Sequence, residues 1–240
     1  MDRADKDGDK QITIRLRLTN KQELLKNMQT AYNKCIKNSA NGRRAKIRIR
    51  RDKTMRKNFG AKPWTYPQPV FIIATYGEDG TPDAMNAAWG GISNDTELSL
   101  CLSAGHKTVK NLLKKGAFTV SMADAAHTAA CDYVGVVSAN KEPEKFAKAG
   151  FHAIPSEFVD APIIEELPMA LECKVISYDA ETCRLVGEII NVSADEKVLD
   201  ENGKIDPAKW DPIIFDPVNN AYLKIGEKVG NAFKDGLALR

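Results

Sequence analysis

From Val70 onward the chain alternates short apolar runs with turn residues. Val70–Tyr76 is followed by Glu78-Asp79-Gly80 and a second run over Asp83–Trp89, the signature of a β-hairpin. Leu98–Leu102, Phe118–Met122, Ala170–Tyr178 and Leu185–Val192 read as further strands, with Asp200-Glu201-Asn202-Gly203 as another turn. Helices read as short and peripheral. One covers Thr108–Lys115, with Val109, Leu112 and Leu113 apolar and Gly116 as its stop; a second covers Lys141–Ala149, capped by Asn140 and stopped by Gly150. Ahead of this body, Ile12, Ile14, Leu16 and Leu18 alternate with polar residues as a half-buried strand does, and so do Ile47 and Ile49 among Lys46, Arg48 and Arg50. Between them Leu24, Met28, Ala31 or Tyr32, and Cys35 recur at helical spacing, behind the cap Asn20 with Glu23 and ahead of Asn41-Gly42. The pattern predicts a mainly β body, a small barrel with short helical insertions, preceded by a strand–helix–strand segment.

Charge sharpens that division. Residues 1–54 hold 16 Lys+Arg against 6 Asp+Glu and residues 55–240 hold 19 against 26, so the two parts stand at +10 and −7. A basic extension over 1–54 and a domain over 55–240 are therefore expected. Arg43, Arg44, Lys46, Arg48, Arg50 and Arg51 suit contact with a polyanion. They equally suit a solvated basic face, which is the favoured reading, and nucleic acid is not an expected partner. A third reading has the working protein begin at Met55. At 240 residues and 43% hydrophobic, the chain can bury a sizeable core and is not expected to be disordered. Mean hydropathy is −0.37 and no apolar run nears the ~18 residues of a membrane span. With no apolar signal-like run at the amino end, a cytoplasmic location is expected. Cys35, Cys101, Cys131, Cys173 and Cys183 include no Cys-x-x-Cys pair, which argues against a disulfide framework and a zinc site; buried thiols are expected.

Two segments offer chemistry. Ser103-Ala104-Gly105-His106-Lys107-Thr108 follows a strand and opens a helix, where unpaired N–H groups and the helix dipole favour an anion. Lys107 adds a charge, Thr108 a hydroxyl, and Asn111 one turn on another donor. An ordinary capped helix would look the same. The second segment is Met85-Asn86-Ala87-Ala88-Trp89-Gly90-Gly91, whose small side chains would let a flat ligand approach the backbone beside Trp89. Its plainer reading is a turn or bulge at the glycines and a core Trp89. Neither the P-loop nor the Gly-x-Gly-x-x-Gly fingerprint occurs. His106 adjoins the first segment, whereas His127 and His152 stand apart with no metal-ligand spacing, and no serine sits in a Gly-x-Ser-x-Gly elbow.

Taken in order, these stretches resemble the flavin reductase-like family of FMN-binding split β-barrels, which includes the flavoredoxins. The resemblance covers nearly all of residues 55–240. It runs through Tyr66-Pro67-Gln68-Pro69-Val70, Gly77-Glu78-Asp79-Gly80, Met85–Gly91, Gly105-His106-Lys107-Thr108 with Asn111, Phe118-Thr119-Val120-Ser121, and Asp132-Tyr133-Val134-Gly135 with Ser138 and Lys145-Phe146. It continues through Leu171-Glu172-Cys173, Gly187-Glu188-Ile189, Gly203-Lys204-Ile205-Asp206, and Tyr222 with Gly226. The resemblance implies a homodimer with FMN at the subunit interface. The backbone of Asn86, Ala87, Ala88 and Trp89 would face the isoalloxazine ring, and Ser103, Lys107, Thr108 and Asn111, beside His106, would serve the ribityl phosphate. It implies an FMN-dependent oxidoreductase passing hydride or electrons from NADH or NADPH to a free flavin, a metal or a redox partner. No catalytic side chain is required, because the cofactor carries the chemistry. Alternatives are an FMN-binding electron carrier of the flavoredoxin type without NAD(P)H activity, and a flavin-free binding module. The chain departs from the family at Ser138-Ala139, where Ser-Gly is common, and in the basic extension.

Overall fold

The structure, a computed structural model, describes residues 12–16, 47–51 and 56–240, together with Lys26, Gln29, Thr30 and Asn33. It divides into two compact units, Met1–Lys62 and Pro63–Arg240. In the first, β1 (Ile12–Leu16) and β2 (Ile47–Arg51) pair in parallel with Ile12 opposite Ile47. Parallel neighbours require a crossover between them. Lys26, Gln29, Thr30 and Asn33 are helical and exposed, at the spacing of one helix face, and the Thr30 hydroxyl donates to Lys26 O at 2.9 Å. This matches the expected strand–helix–strand order. Leu18, the cap at Asn20 and Glu23, the apolar helix positions, Asn41-Gly42, Arg43, Arg44 and Lys46 lie outside the described residues.

The second unit contains β3 (Gln68–Pro69), β4 (Phe71–Tyr76), β5 (Pro82–Ala87), β6 (Gly90–Asn94), β7 (Glu97–Cys101), α1 (Lys107–Lys115) and β8 (Ala117–Met122). It continues with α2 (Thr128–Val136), α3 (Lys145–Lys148), β9 (Ala153–Pro155), β10 (Pro162–Ile164), β11 (Met169–Asp179), β12 (Arg184–Ala194), β13 (Ile213–Asp216) and β14 (Ala221–Lys224). Seven antiparallel strands form the main sheet in the order β5-β4-β8-β11-β12-β7-β6; β14-β13-β3 and β10-β9 form small sheets.

The two edges of the main sheet, β5 and β6, are joined by only Ala88 and Trp89. Laid flat, seven strands would hold their edges roughly 29 Å apart, at about 4.8 Å per neighbour. The link spans at most about 11 Å. The sheet therefore curls into a barrel that stays open along one seam, the split-barrel architecture anticipated above.

Curling explains the hydrophobic pattern. Phe71 and Ile73 of β4 face one core with Met85, Leu98, Leu100, Phe118, Val120, Leu171, Cys173 and Leu185, while Val70, Ile72 and Ala74 face a second core with Ala84, Cys131, Val134, Phe146 and Ile164. With both faces covered, β4 reads as an unbroken apolar run. Helix α1 inserts Val109 and Leu112 into the first core and ends at Gly116, whose φ of 70° and N–H bond to Leu112 O at 2.8 Å form the expected stop. Inside the barrel Gly187 is obligatory, because a Cβ there would lie 2.4 Å from Phe118 Cζ.

Three expectations are corrected. The helix read over Lys141–Ala149 shrinks to Lys145–Lys148, because Pro143 interrupts its first turns, and Asn140 caps nothing. Helix α2 has no counterpart in the pattern: its residues are apolar on most sides, and it is helical because it lies on β5, where a Cβ on Gly135 would meet Asn86 Cβ at 2.8 Å. Gly90-Gly91 opens strand β6 rather than a turn, since a Cβ on Gly90 would lie 2.4 Å from Leu100 Cδ2. The thiols divide: Cys131 and Cys173 are buried, which pushes both up to about 12, whereas Cys101 is exposed and Cys183 intermediate.

Replacing Gly187 by Ala should destabilise the protein by about 1–3 kcal/mol through overpacking against Phe118. A urea midpoint indistinguishable from wild type would contradict the placement of that ring.

Candidate functional site

Helix α1 begins without a cap. The side chain of His106 makes no capping bond, and among the described residues the N–H groups of Lys107, Thr108 and Val109 have no acceptor. Such donors, with the positive end of the helix dipole behind them, suit an anion. Asn111, one turn later, is 3% exposed and lines a cleft of about 490 Å³. Its amide has no hydrogen-bond partner among the described residues. The Asn111 amide is not among the fully buried polar atoms, so it can bond either solvent or a ligand in the cleft.

The cleft is walled by the β4–β5 hairpin through Gly77, Glu78, Asp79, Thr81, Pro82 and Asp83, by Lys107 and Asn111, and by Ala139, Asn140 and Pro143. The hairpin carboxylates are occupied. Glu78 pairs with Lys114 at 2.7 Å, which holds its carboxyl below the usual range, and Asp79 Oδ1 accepts the Thr81 N–H at 3.1 Å, with the same effect. The Lys107 ammonium, which also lines the cleft, forms no ion pair among the described residues, although its charge contributes to lowering both carboxyls. Asn140, read from sequence as a helix cap, has another role: its Nδ2 donates to Gly105 O at 3.1 Å and to Ser138 Oγ at 3.2 Å, fixing the loop ahead of α1. Ser138, at the point of departure from the family pattern, steadies Asn140 through its hydroxyl oxygen.

Beneath the cleft lies a charge pair that sequence reasoning did not single out. Asp83 and Lys145 are 4% and 3% exposed, with Nζ 3.5 Å from Asp83 Oδ1. Lys145 Nζ also donates to the carbonyls of Val134 and Val137 at 3.0 Å each, so it closes the C-terminal end of α2. Burial lowers the Lys145 pKa and Asp83 opposes that shift. The other Asp83 oxygen accepts the Thr108 hydroxyl at 2.7 Å. This corrects one expectation: the Thr108 hydroxyl points inward and only its N–H faces outward. The network ties the starts of α1 and α3, strand β5 and the end of α2 together around the cleft. Only the pairing of an aspartate on a hairpin strand with a lysine 62 positions later would have revealed it, and nothing in local spacing signals such a pair.

At the other end of β5 the seam begins. Asn86 Nδ2 donates to Cys131 O at 3.1 Å and to Tyr222 Oη at 3.5 Å, and Tyr222 donates to Asp132 Oδ1 at 2.7 Å. Burial and the Asp132 carboxylate raise the Tyr222 pKa, so the phenol stays protonated. Asn86 therefore spends its side chain on holding α2 and β14 to the strand, and its backbone is what it presents toward Ala87 and Ala88, which are half-buried. Trp89 is 50% exposed rather than core, and its carbonyl accepts the Cys101 N–H at 2.8 Å. Through Cys101 and Leu102 the seam connects to Ser103, whose carbonyl accepts the His106 N–H at 3.2 Å; both side chains are exposed. The two segments picked from sequence are thus linked through the Trp89–Cys101 bond, while the cleft that Lys107 and Asn111 line lies at the hairpin end of β5 and includes none of Met85–Gly91. His127 and His152 do not join them. Each rests on a carboxylate, His127 Nδ1 at 2.8 Å from Asp124 and His152 Nδ1 at 2.5 Å from Glu166.

Uncapped helix donors at one end of β5 and small residues with a half-exposed tryptophan at the other are the features this structure offers a ligand. The Flavin reductase like domain profile matches residues 64–215. The chain belongs to the flavin reductase-like family. Among solved structures, this flavin reductase-like chain is similar to the flavoredoxin of Desulfovibrio vulgaris (Miyazaki F), with 38% identity, a TM-score of 0.73, and coverage of 76% of this chain and 100% of that one. It is also similar to a flavoredoxin from Methanosarcina acetivorans, at 26% identity and TM-score 0.70 over 78% of this chain and 100% of that one. An FMN-binding domain of a flavin reductases-like enzyme from Shewanella baltica OS155 shares the fold at 20% identity and TM-score 0.61, over 68% and 89% of the two chains. A flavin-related redox function follows from this membership.

Replacing Lys145 by Met should cost about 3 kcal/mol, because it strands the Asp83 charge in the interior. Adding Asp83→Asn should recover part of that loss. A single variant as stable as wild type in chemical denaturation would contradict the buried pair.

Proposed function

We propose that this chain is an FMN-dependent oxidoreductase that carries hydride or electrons from NADH or NADPH, by way of bound FMN, to a free flavin, a metal or a redox partner. The observation that carries the reading is the open donor set at the start of α1, with the Asn111 amide, which has no protein partner among the described residues, lining the cleft beside it. FMN fits these residues: its phosphate bears a charge of about −1.5 to −2 near neutral pH and takes several strong hydrogen bonds. When bound, it supplies the hydride and electron chemistry.

The chain supplies the binding. The N–H groups of Lys107, Thr108 and Val109, the Lys107 ammonium and the Asn111 amide hold the phosphate, with Ser103 and His106 at the rim. Asp83, through the Thr108 hydroxyl, keeps the first turn of α1 aimed at the cleft. The backbone from Asn86 to Trp89 offers its polar groups to the ring edge, and the Trp89 face shields one side from water. No side chain acts as acid or base in this scheme. We further infer that the domain works as a homodimer in the cytoplasm, with the seam at the subunit interface; the exposed Trp89 and Ile92 at that edge support it.

A second reading is an electron carrier that holds FMN but does not itself accept reducing equivalents from NAD(P)H. The 38% identity to a flavoredoxin along that chain's whole length favours it specifically. Stopped-flow reduction separates the two: rapid bleaching of bound FMN by NADH or NADPH supports the reductase, and bleaching only with a protein donor supports the carrier. Under either reading, replacing Lys107 by Ala should weaken FMN binding roughly tenfold while leaving the rate at saturating FMN near wild type. Unchanged affinity would remove Lys107 from the site.

A further inference from the structure

The β9–β10 hairpin ends in a group of side chains that the flavin reading leaves unused. His152 stands one residue before β9, and Glu165 and Glu166 follow β10 directly. Their backbones are pinned. The Glu165 N–H donates to His152 O at 3.0 Å across the hairpin, and the Leu167 N–H donates to Ile164 O at 3.2 Å, which sets the two glutamates at the central positions of a tight turn. The flanking Phe151, Ile164 and Leu167 are all buried in the second core. Three polar side chains thus project from a backbone that the core holds still. His152 Nδ1 lies 2.5 Å from Glu166 Oε1, and the other Glu166 oxygen accepts the His152 N–H at 3.0 Å. One ring nitrogen of His152 and one oxygen of each carboxylate all fall within 4.8 Å of one another.

We propose that His152, Glu165 and Glu166 bind a divalent transition-metal ion, Zn2+ by the chemistry of the donors. An imidazole nitrogen with two carboxylate oxygens suits Zn2+, whose bonds of about 2.0–2.2 Å set tetrahedral ligand atoms roughly 3.4 Å apart. Rotation of the glutamate side chains brings these atoms to that spacing without moving the backbone. Charge favours a cation as well. Two carboxylates of consecutive residues converge on one imidazole, and among the described residues no lysine or arginine pairs with either, while the Glu165 carboxylate makes no hydrogen bond or salt bridge. Like charges held this close repel, and an ion between them removes the repulsion. The ion takes the place of the proton that His152 Nδ1 and Glu166 share, and that proton leaves to solvent. Three protein ligands leave a fourth position open. Glu165 also borders a cavity of about 440 Å³ with Ile154, Leu167, Met169, Ser193 and Lys197, from which a water or a small anion can complete the shell. None of the three ligands borders the cleft at α1, so the site is separate from the one assigned to the flavin phosphate. The glutamates lie 13 and 14 positions from the histidine, so no spacing in the sequence announces the group.

Calorimetric titration of the chelator-treated full chain with ZnCl2, in phosphate-free buffer, tests the proposal, with thermal unfolding measured alongside. The chain should bind a single Zn2+ with a dissociation constant on the order of 1 µM, and saturation should raise the unfolding midpoint, since the ion binds the folded hairpin alone. Glu165→Gln, a change of charge on an exposed side chain with its shape kept, should weaken binding roughly tenfold or more, as should His152→Ala. His127→Ala, which removes the other histidine held by a carboxylate, should leave the affinity unchanged. MgCl2 should show no saturable binding in the same range, because Mg2+ prefers oxygen ligands alone. Absence of saturable Zn2+ binding would overturn the proposal, and so would equal affinity in wild type and both ligand variants. Mg2+ bound as tightly as Zn2+, or Zn2+ binding abolished instead by Cys101→Ser/Cys183→Ser, would overturn it too.

Discussion

Seven strands whose outermost members are joined by two residues have one way to fold. The Ala88-Trp89 link forbids a flat sheet, and from that prohibition follow the barrel, its seam and the position of everything along the seam. Because the barrel closes on its own side chains, its interior is sensitive to volume, which is why Gly187 and Gly90 face Phe118 and Leu100 at distances no Cβ tolerates. The same closure leaves Trp89 half-exposed at the open edge, the surface to which the proposed function assigns the flavin ring.

The other half of the site depends on a buried charge. Lys145 is surrounded by the Val134 and Val137 carbonyls and the Asp83 carboxylate, and these compensate its removal from water. Asp83 in turn holds Thr108, so the orientation of the first turn of α1 is set from inside the protein, leaving the outward donors free. Asn140 does the same for the preceding loop through Gly105 O. Under the proposed function, a helix start supported in this way is organised in advance, so binding energy is not consumed in ordering it.

Much of this was legible in the residues. Strands with covered faces announced themselves as apolar runs, and the Gly116 stop and the Glu78-Asp79-Gly80 hairpin follow from local backbone chemistry that needs no partner. The uncapped start of α1 was legible for the same reason: a strand end, a helix start and a lysine are adjacent in the chain. What could not be read depends on contacts across it. Helix α2 owes its form to packing on β5, since its apolar residues do not fall on one stripe. The inward turn of the Thr108 hydroxyl and the role of Asn140 depend on Asp83 and Gly105, 25 and 35 residues away. The four-residue α3 shows Pro143 overriding a cap-and-stop pattern that looked complete at both ends.

The central claim is that open donors at the start of α1 grip an anionic tail. It is tested most directly by comparing, in one calorimetric titration series, the affinities for FMN and for riboflavin, which share the ring and differ in the phosphate. The account predicts saturable FMN binding and riboflavin weaker by roughly 100-fold or more, the loss of several charge-assisted hydrogen bonds. Equal affinities, or no binding of FMN, would contradict it.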